Sequence, residues 1–136
     1  MAKITSRVIG VLYVLFGAAG FVLGDEADLY HNLLHLATGI LGVYVGFVGS
    51  LSGARAFCLV FGGGYLAFGV LGFLMGDASR EYLWDVGLFS VSTPDHIHHV
   101  LLGTMILASG MLAPAVLRRW RAGPMRPGVA PTEPVR

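Results

Sequence analysis

Two stretches decide the fold: GVLYVLFGAAGFVLG at residues 10–24 and GGGYLAFGVLGFLMG at residues 62–76. Aligned without a gap, they agree at Gly10/Gly62, Tyr13/Tyr65, Phe16/Phe68, Gly17/Gly69, Gly20/Gly72, Phe21/Phe73 and Gly24/Gly76. Positions 10, 13, 17, 20 and 24 advance by three and four, so they form one seam of a helix, with Phe16 and Phe21 beside it. Biased composition scatters matches around a helix. Matches confined to one face indicate shared packing.

A second pair is weaker. HNLLHLATGILGVYVG at residues 31–46 aligns with DHIHHVLLGTMILASG at residues 95–110, matching at His35/His99, Gly39/Gly103 and Gly46/Gly110. The offset is 64 here and 52 for the first pair, so the second half carries an insertion of 12 residues in its loop. The sequence thus reads as a duplicated helical hairpin. Helices one and three run the same way, which makes the halves parallel repeats about an axis along the membrane normal.

Composition says where such a hairpin lives. Of 136 residues, 55% are hydrophobic and 12% charged, about half the usual share of charge. A chain this short cannot hide that much apolar surface from water. Too few charges remain for a disordered chain or for gripping nucleic acid. Four uncharged stretches, at about residues 8–24, 31–49, 56–76 and 97–117, are too long for strands and read as transmembrane helices. The expected fold is all-α: a four-transmembrane-helix bundle in a single domain over residues 1–117, followed by a basic, Pro-rich tail at 118–136. Lys3 and Arg7 before the first apolar run also suit a signal peptide, but no small-x-small cleavage site follows and the repeat argues for retention.

Charge sorts by side. Eight of the nine basic residues precede helix one, lie in the loop with Arg55, or follow helix four at Arg118, Arg119, Arg121, Arg126 and Arg136. Asp25, Glu26, Asp28, Asp77, Glu81, Asp85 and Asp95 fall on the other side, with Arg80. Both termini are therefore expected in the cytoplasm, with the Arg-rich segment and Trp120 on anionic lipid headgroups. The third loop, residues 77–92, carries Tyr82, Trp84 and Phe89. It reads as a short interfacial helix capped by Asp77 or, equally, as an ordered loop with belt aromatics.

Glycines at Gly20–Gly24, Gly42–Gly46 and Gly72–Gly76 have small-xxx-small spacing, which packs helices of one chain, of a second copy or of a larger membrane complex. Cys58 is alone, so neither an intrachain disulfide nor a cysteine metal site is available. The spans hold no carboxylate, Lys or Arg, which disfavours ion-coupled transport, and no nucleophile has the spacing of a hydrolase.

All five histidines, His31, His35, His96, His98 and His99, sit at the outer ends of helices two and four. Duplication places His35 and His99 symmetrically, one turn below the surface, with His31 and Asp95 just above. Three readings stay open. The imidazoles satisfy helix ends and loops as structural groups. Alternatively His35 and His99 hold a transition metal, a b-type haem or a pigment, with His31 and Asp95 as further ligands or supports. In the third, the cluster senses or relays protons.

The run His31-Asn32-x-x-His35-Leu36 with Gly39 and Gly42, and a second His-x-x-x-Gly in the last helix, resembles a family of small bacterial four-helix membrane proteins known only as a domain of unknown function. The resemblance covers roughly residues 8–117. It implies the fold and a bacterial inner membrane, and no activity. The second half departs from the first, with Asp95 and His96 where His31 and Asn32 stand. The expected function is that of a non-catalytic accessory or structural membrane subunit. The alternative is a cofactor-binding membrane protein using His35, His99, His31 and Asp95.

Overall fold

The computed structural model describes residues 1–23 and 29–122, the side chains as far as Leu112. The acidic residues Asp25, Glu26 and Asp28, the side chains of Pro114 and of the arginine cluster from Arg118, and the tail beyond Ala122 lie outside the described residues. The chain is mostly helical: α1 spans Ala2–Leu23, α2 Leu29–Phe47, α3 Leu51–Met75 and α4 Thr93–Ala122. Two of them, α1 and α3, are long and apolar enough to cross a membrane. In α2 the polar His31, Asn32 and His35 crowd the first two turns and lower its hydropathy.

Glycine sets how the helices pair. A Cβ on Gly10 would run into the backbone of Gly42 and Val43, and one on Gly62 into the backbone of Ile106 and Leu107. Gly17 faces Asn32 and Leu36, whereas Gly69 faces His96 and Val100. Gly39 meets Tyr13 and Val14, and Gly103 meets Leu66. The contacts of Gly10 with residues 42 and 43, of Gly17 with 32 and 36, and of Gly39 with Val14 recur between α3 and α4 at the offsets of 52 and 64. Backbones this close lose side-chain volume but gain dispersion contact along the whole seam.

The two helix pairs meet along α1 and α3, where Ile9, Tyr13, Phe57 and Cys58 form the core with Ile106 of α4. Ser6 and Cys58 touch across this interface, Oγ to Sγ 3.6 Å. At the end remote from the histidines, Arg7 donates to the Gly46 carbonyl (2.9 Å) and Arg55 to that of Gly110 (3.2 Å), and the Arg7 guanidinium lies over Phe47.

Of the two expectations for residues 77–92, the interfacial helix is not found; the segment is an ordered loop containing a short hairpin. Asp77 does cap a helical turn, accepting from the Ser79 amide and hydroxyl, and these bonds hold its carboxyl below the usual carboxylate range. The turn, Ala78–Arg80, is a single 3₁₀ turn. A two-stranded antiparallel hairpin follows, β1 (Trp84–Asp85) pairing with β2 (Ser90–Val91). The hairpin forms because Gly87, at φ 88°, supplies the left-handed residue its turn needs, and Asp85 accepts from the Gly87 amide (2.8 Å).

Two non-glycine residues, Glu81 and Tyr82, also have positive φ, a conformation that surrounding contacts must hold. The start of α4 supplies those contacts. Thr93 donates its amide and hydroxyl to the Glu81 carbonyl, and His96 Nε2 lies 2.8 Å from the Tyr82 carbonyl.

Candidate functional site

The first two turns of α2 and of α4 converge beneath the hairpin. His31 and His35 are four residues apart and share a face of α2. Their rings lie edge to face with centroids 4.5 Å apart. His99 of α4 comes to 6.0 Å from His31 and 6.1 Å from His35. One ring nitrogen from each of the three can be chosen so that all lie within 4.8 Å of one another.

The polar bookkeeping of these rings is incomplete. Among the described residues, Nε2 of His31, His35 and His98, Nδ1 of His96 and the Tyr13 hydroxyl are buried and have no hydrogen-bond partner. A buried polar atom left this way costs about 1–3 kcal/mol. His99 differs: its Nδ1 sits 2.6 Å from the main-chain carbonyl of Asp95, an acceptor, so Nδ1 carries the proton and Nε2 keeps its lone pair. That is the arrangement in which a histidine is oriented as a metal ligand by a carbonyl behind it.

Of the residues singled out from sequence, the fold brings His31, His35 and His99 together. Asp95 contributes its carbonyl only. Its carboxylate turns to the N-terminus of α4, accepting from the Ser92 amide at 2.9 Å, so it does not join the histidine donors as a ligand. His96 leaves the group because its ring fills the space over Gly72 and ties α4 to the hairpin through Tyr82. Asn32 fills the matching space over Gly20. His98 packs against α1, 5.8 Å from Phe16 and 5.9 Å from Tyr13, and its ring also lies 6.0 Å from His35 and 5.7 Å from His99, but its nitrogens are not part of the group that converges within 4.8 Å.

Aromatic rings enclose the three imidazoles. Tyr13 packs on His35 at 4.8 Å and Tyr65 on His99 at 5.1 Å, and the two tyrosines stack at 5.2 Å. Phe89 of the hairpin covers His31 from outside. Sequence reading found both tyrosines as seam identities but gave them only a packing role. Their position one turn from His35 and His99 on the neighbouring helix was the missed signal.

A cavity of about 350 Å³ opens beside the histidines between α2 and α3. Its lining includes His31, His35 and His99, Thr38 and Tyr65, and the exposed side chains of Leu34 and Val60. Tyr65 donates to Thr38 (3.0 Å) across it.

The sequence pattern of the family described as a domain of unknown function, DUF4383, matches residues 22–112. The chain belongs to this family. The matched stretch of the DUF4383 chain includes the three converging histidines, Tyr65 and the hairpin, and leaves out most of α1 with Tyr13. Neither a curated protein nor a solved structure matches the chain.

Proposed function

We propose that this DUF4383 protein is an integral membrane protein that crosses the bilayer four times as a duplicated helical hairpin and binds one divalent transition-metal ion through His31, His35 and His99. The membrane reading is supported by α1 and α3, each long and apolar enough to span. It is supported too by large apolar side chains exposed on all four helices, such as Leu15, Ile40, Val60 and Met105, which water would not tolerate together. The recurrence of helix contacts at offsets of 52 and 64 supports the duplication. The sorting of charge puts the histidine end outside and the Arg7 and Arg55 end in the cytoplasm, in the bacterial inner membrane the family resemblance implied.

The observation that carries the metal reading is the convergence of three imidazole donors within 4.8 Å, two of them with buried, unpartnered Nε2 atoms. A metal ion bound through Nε2 of His31 and of His35 would partner both atoms. Imidazole ligands suit zinc, copper, nickel and ferrous iron, and three of them leave a coordination position open. His31 fills the space beside both other rings, which favours a single ion over the plane of a haem or pigment held between His35 and His99.

The test is metal content and affinity of protein purified from metal-supplemented cells. About one ion per chain is expected. His31→Ala, His35→Ala and His99→Ala should each weaken binding by more than the roughly 10- to 100-fold typical of losing an outer-shell partner. His96→Ala and His98→Ala should retain the ion. A metal-free wild type, or equal losses in all five variants, refutes the reading.

A further inference from the structure

Three neutral imidazoles around a divalent cation leave its charge uncompensated in an apolar setting, which is costly. Asp95 does not cancel it by ligation, since its carboxylate is held by the Ser92 amide. An anionic ligand at the open position offsets that charge, and the cavity beside the histidines leads to it. Apart from Thr38 and Tyr65, the walls beyond the histidines are apolar, among them Phe61 and Phe68. Its lining residues Leu34 and Val60 are 52% and 67% exposed, so on the membrane reading it opens sideways into lipid.

The cavity also has a direction. Thr38 lies seven residues beyond His31 along α2, and Val60 eight residues before Phe68, which packs on His99, along α3, each about two turns further from the hairpin end. Polar end outward and apolar end toward the midplane is how a lipid lies in its leaflet.

The opening is specific to the second half. Gly64 lines the cavity and has nothing within 4 Å of where a Cβ would stand. In the aligned first stretch the same position is Leu12. On that side, His98 rather than a second Leu34 packs against α1.

We infer that the cavity binds a long-chain carboxylate from the bilayer, its carboxylate on the open position of the metal at His31, His35 and His99 and its tail along Val60 and Gly64. The inference rests on the metal reading above. Its size fits: about 350 Å³ falls in the range of small-molecule sites.

The experiment uses the full chain in lipid nanodiscs, loaded with cobalt(II) as a visible reporter of the coordination sphere and titrated with laurate, acetate and dodecanol. Laurate should change the cobalt bands and bind at least about 100-fold more tightly than acetate, the gain from burying several methylenes. Dodecanol, lacking the anion, should leave the bands unchanged. Gly64→Leu, the residue of the first half, should keep cobalt and its laurate-free spectrum but lose the laurate response. Failure to take up cobalt overturns the metal reading and this inference with it. A cobalt-loaded protein that ignores laurate, or binds it equally well as Gly64→Leu, overturns this inference alone.

Discussion

His31 and Phe89 form an offset parallel stack, their ring centroids 5.3 Å apart and their planes within 6° of parallel. One ring belongs to the first turn of α2, the other to the loop that turns back from β1 to β2. The contact joins the histidine-bearing face of α2 to the hairpin loop. Phe68 on α3 packs against both Trp84 and Phe89 and fixes the hairpin from the other side.

Removing the cover should therefore loosen the ion without removing a ligand. An aromatic pair is worth about 0.5–1.5 kcal/mol, so Phe89→Ala should raise the rate of metal loss to a chelator roughly 2- to 10-fold. Stopped-flow chelator competition reads this directly. An unchanged rate means that Phe89 does not hold His31.

Helix pairing depends on glycine at defined positions and not on glycine content. Gly62→Ala sets a methyl against the backbone of Ile106 and Leu107 and should destabilise the fold by about 1–3 kcal/mol, as should Gly10→Ala against Gly42 and Val43. Gly63, next in sequence, has open space where a Cβ would stand, and Gly63→Ala should be neutral within about 0.5 kcal/mol. Unfolding in mixed micelles ranks the three. A Gly63 variant as costly as Gly62→Ala would contradict the packing.

His96 is a tether. His96→Ala leaves the Tyr82 carbonyl without its imidazole partner and empties the space over Gly72, so the strained Glu81–Tyr82 step loses one of its restraints. Protease cleavage within residues 77–92 should accelerate while metal affinity stays at the wild-type value. Loss of metal in this variant would place His96 in the site.

Topology is open to labelling, because the native Cys58 is buried and should react little. Leu88→Cys in the exposed hairpin turn and Ser52→Cys at the start of α3 should react with an impermeant maleimide from opposite faces of the membrane, Leu88→Cys from outside. Labelling of both from one face would contradict the four-span arrangement.

Much of this was legible in the sequence for physical reasons. The seam Gly10, Tyr13, Gly17 and its counterpart Gly62, Tyr65, Gly69 could be read because close backbone contact tolerates few residue types. The pairing of His35 with His99 rested on the second, weaker alignment, with its offset of 64. The hairpin was not legible as such: Tyr82, Trp84 and Phe89 have the look of a membrane-surface helix, and the Asp85-Val86-Gly87 turn is a short signal among them. The division of labour among the histidines was hidden too. His96 and His99 are one turn apart on α4, and what separates them is the hollow over Gly72 on a different helix. The turning of Asp95 to the Ser92 amide is a helix-end contact that competes with ligation, a choice that residue type alone does not reveal.

The central claim is that three imidazoles bind one ion, and X-ray absorption at the metal edge tests it most directly. Zinc-loaded protein should show a first shell at about 2.0–2.1 Å with outer-shell scattering from three imidazoles, falling to two or fewer in His99→Ala. A shell of oxygen donors alone, or a spectrum unchanged by His99→Ala, would contradict it.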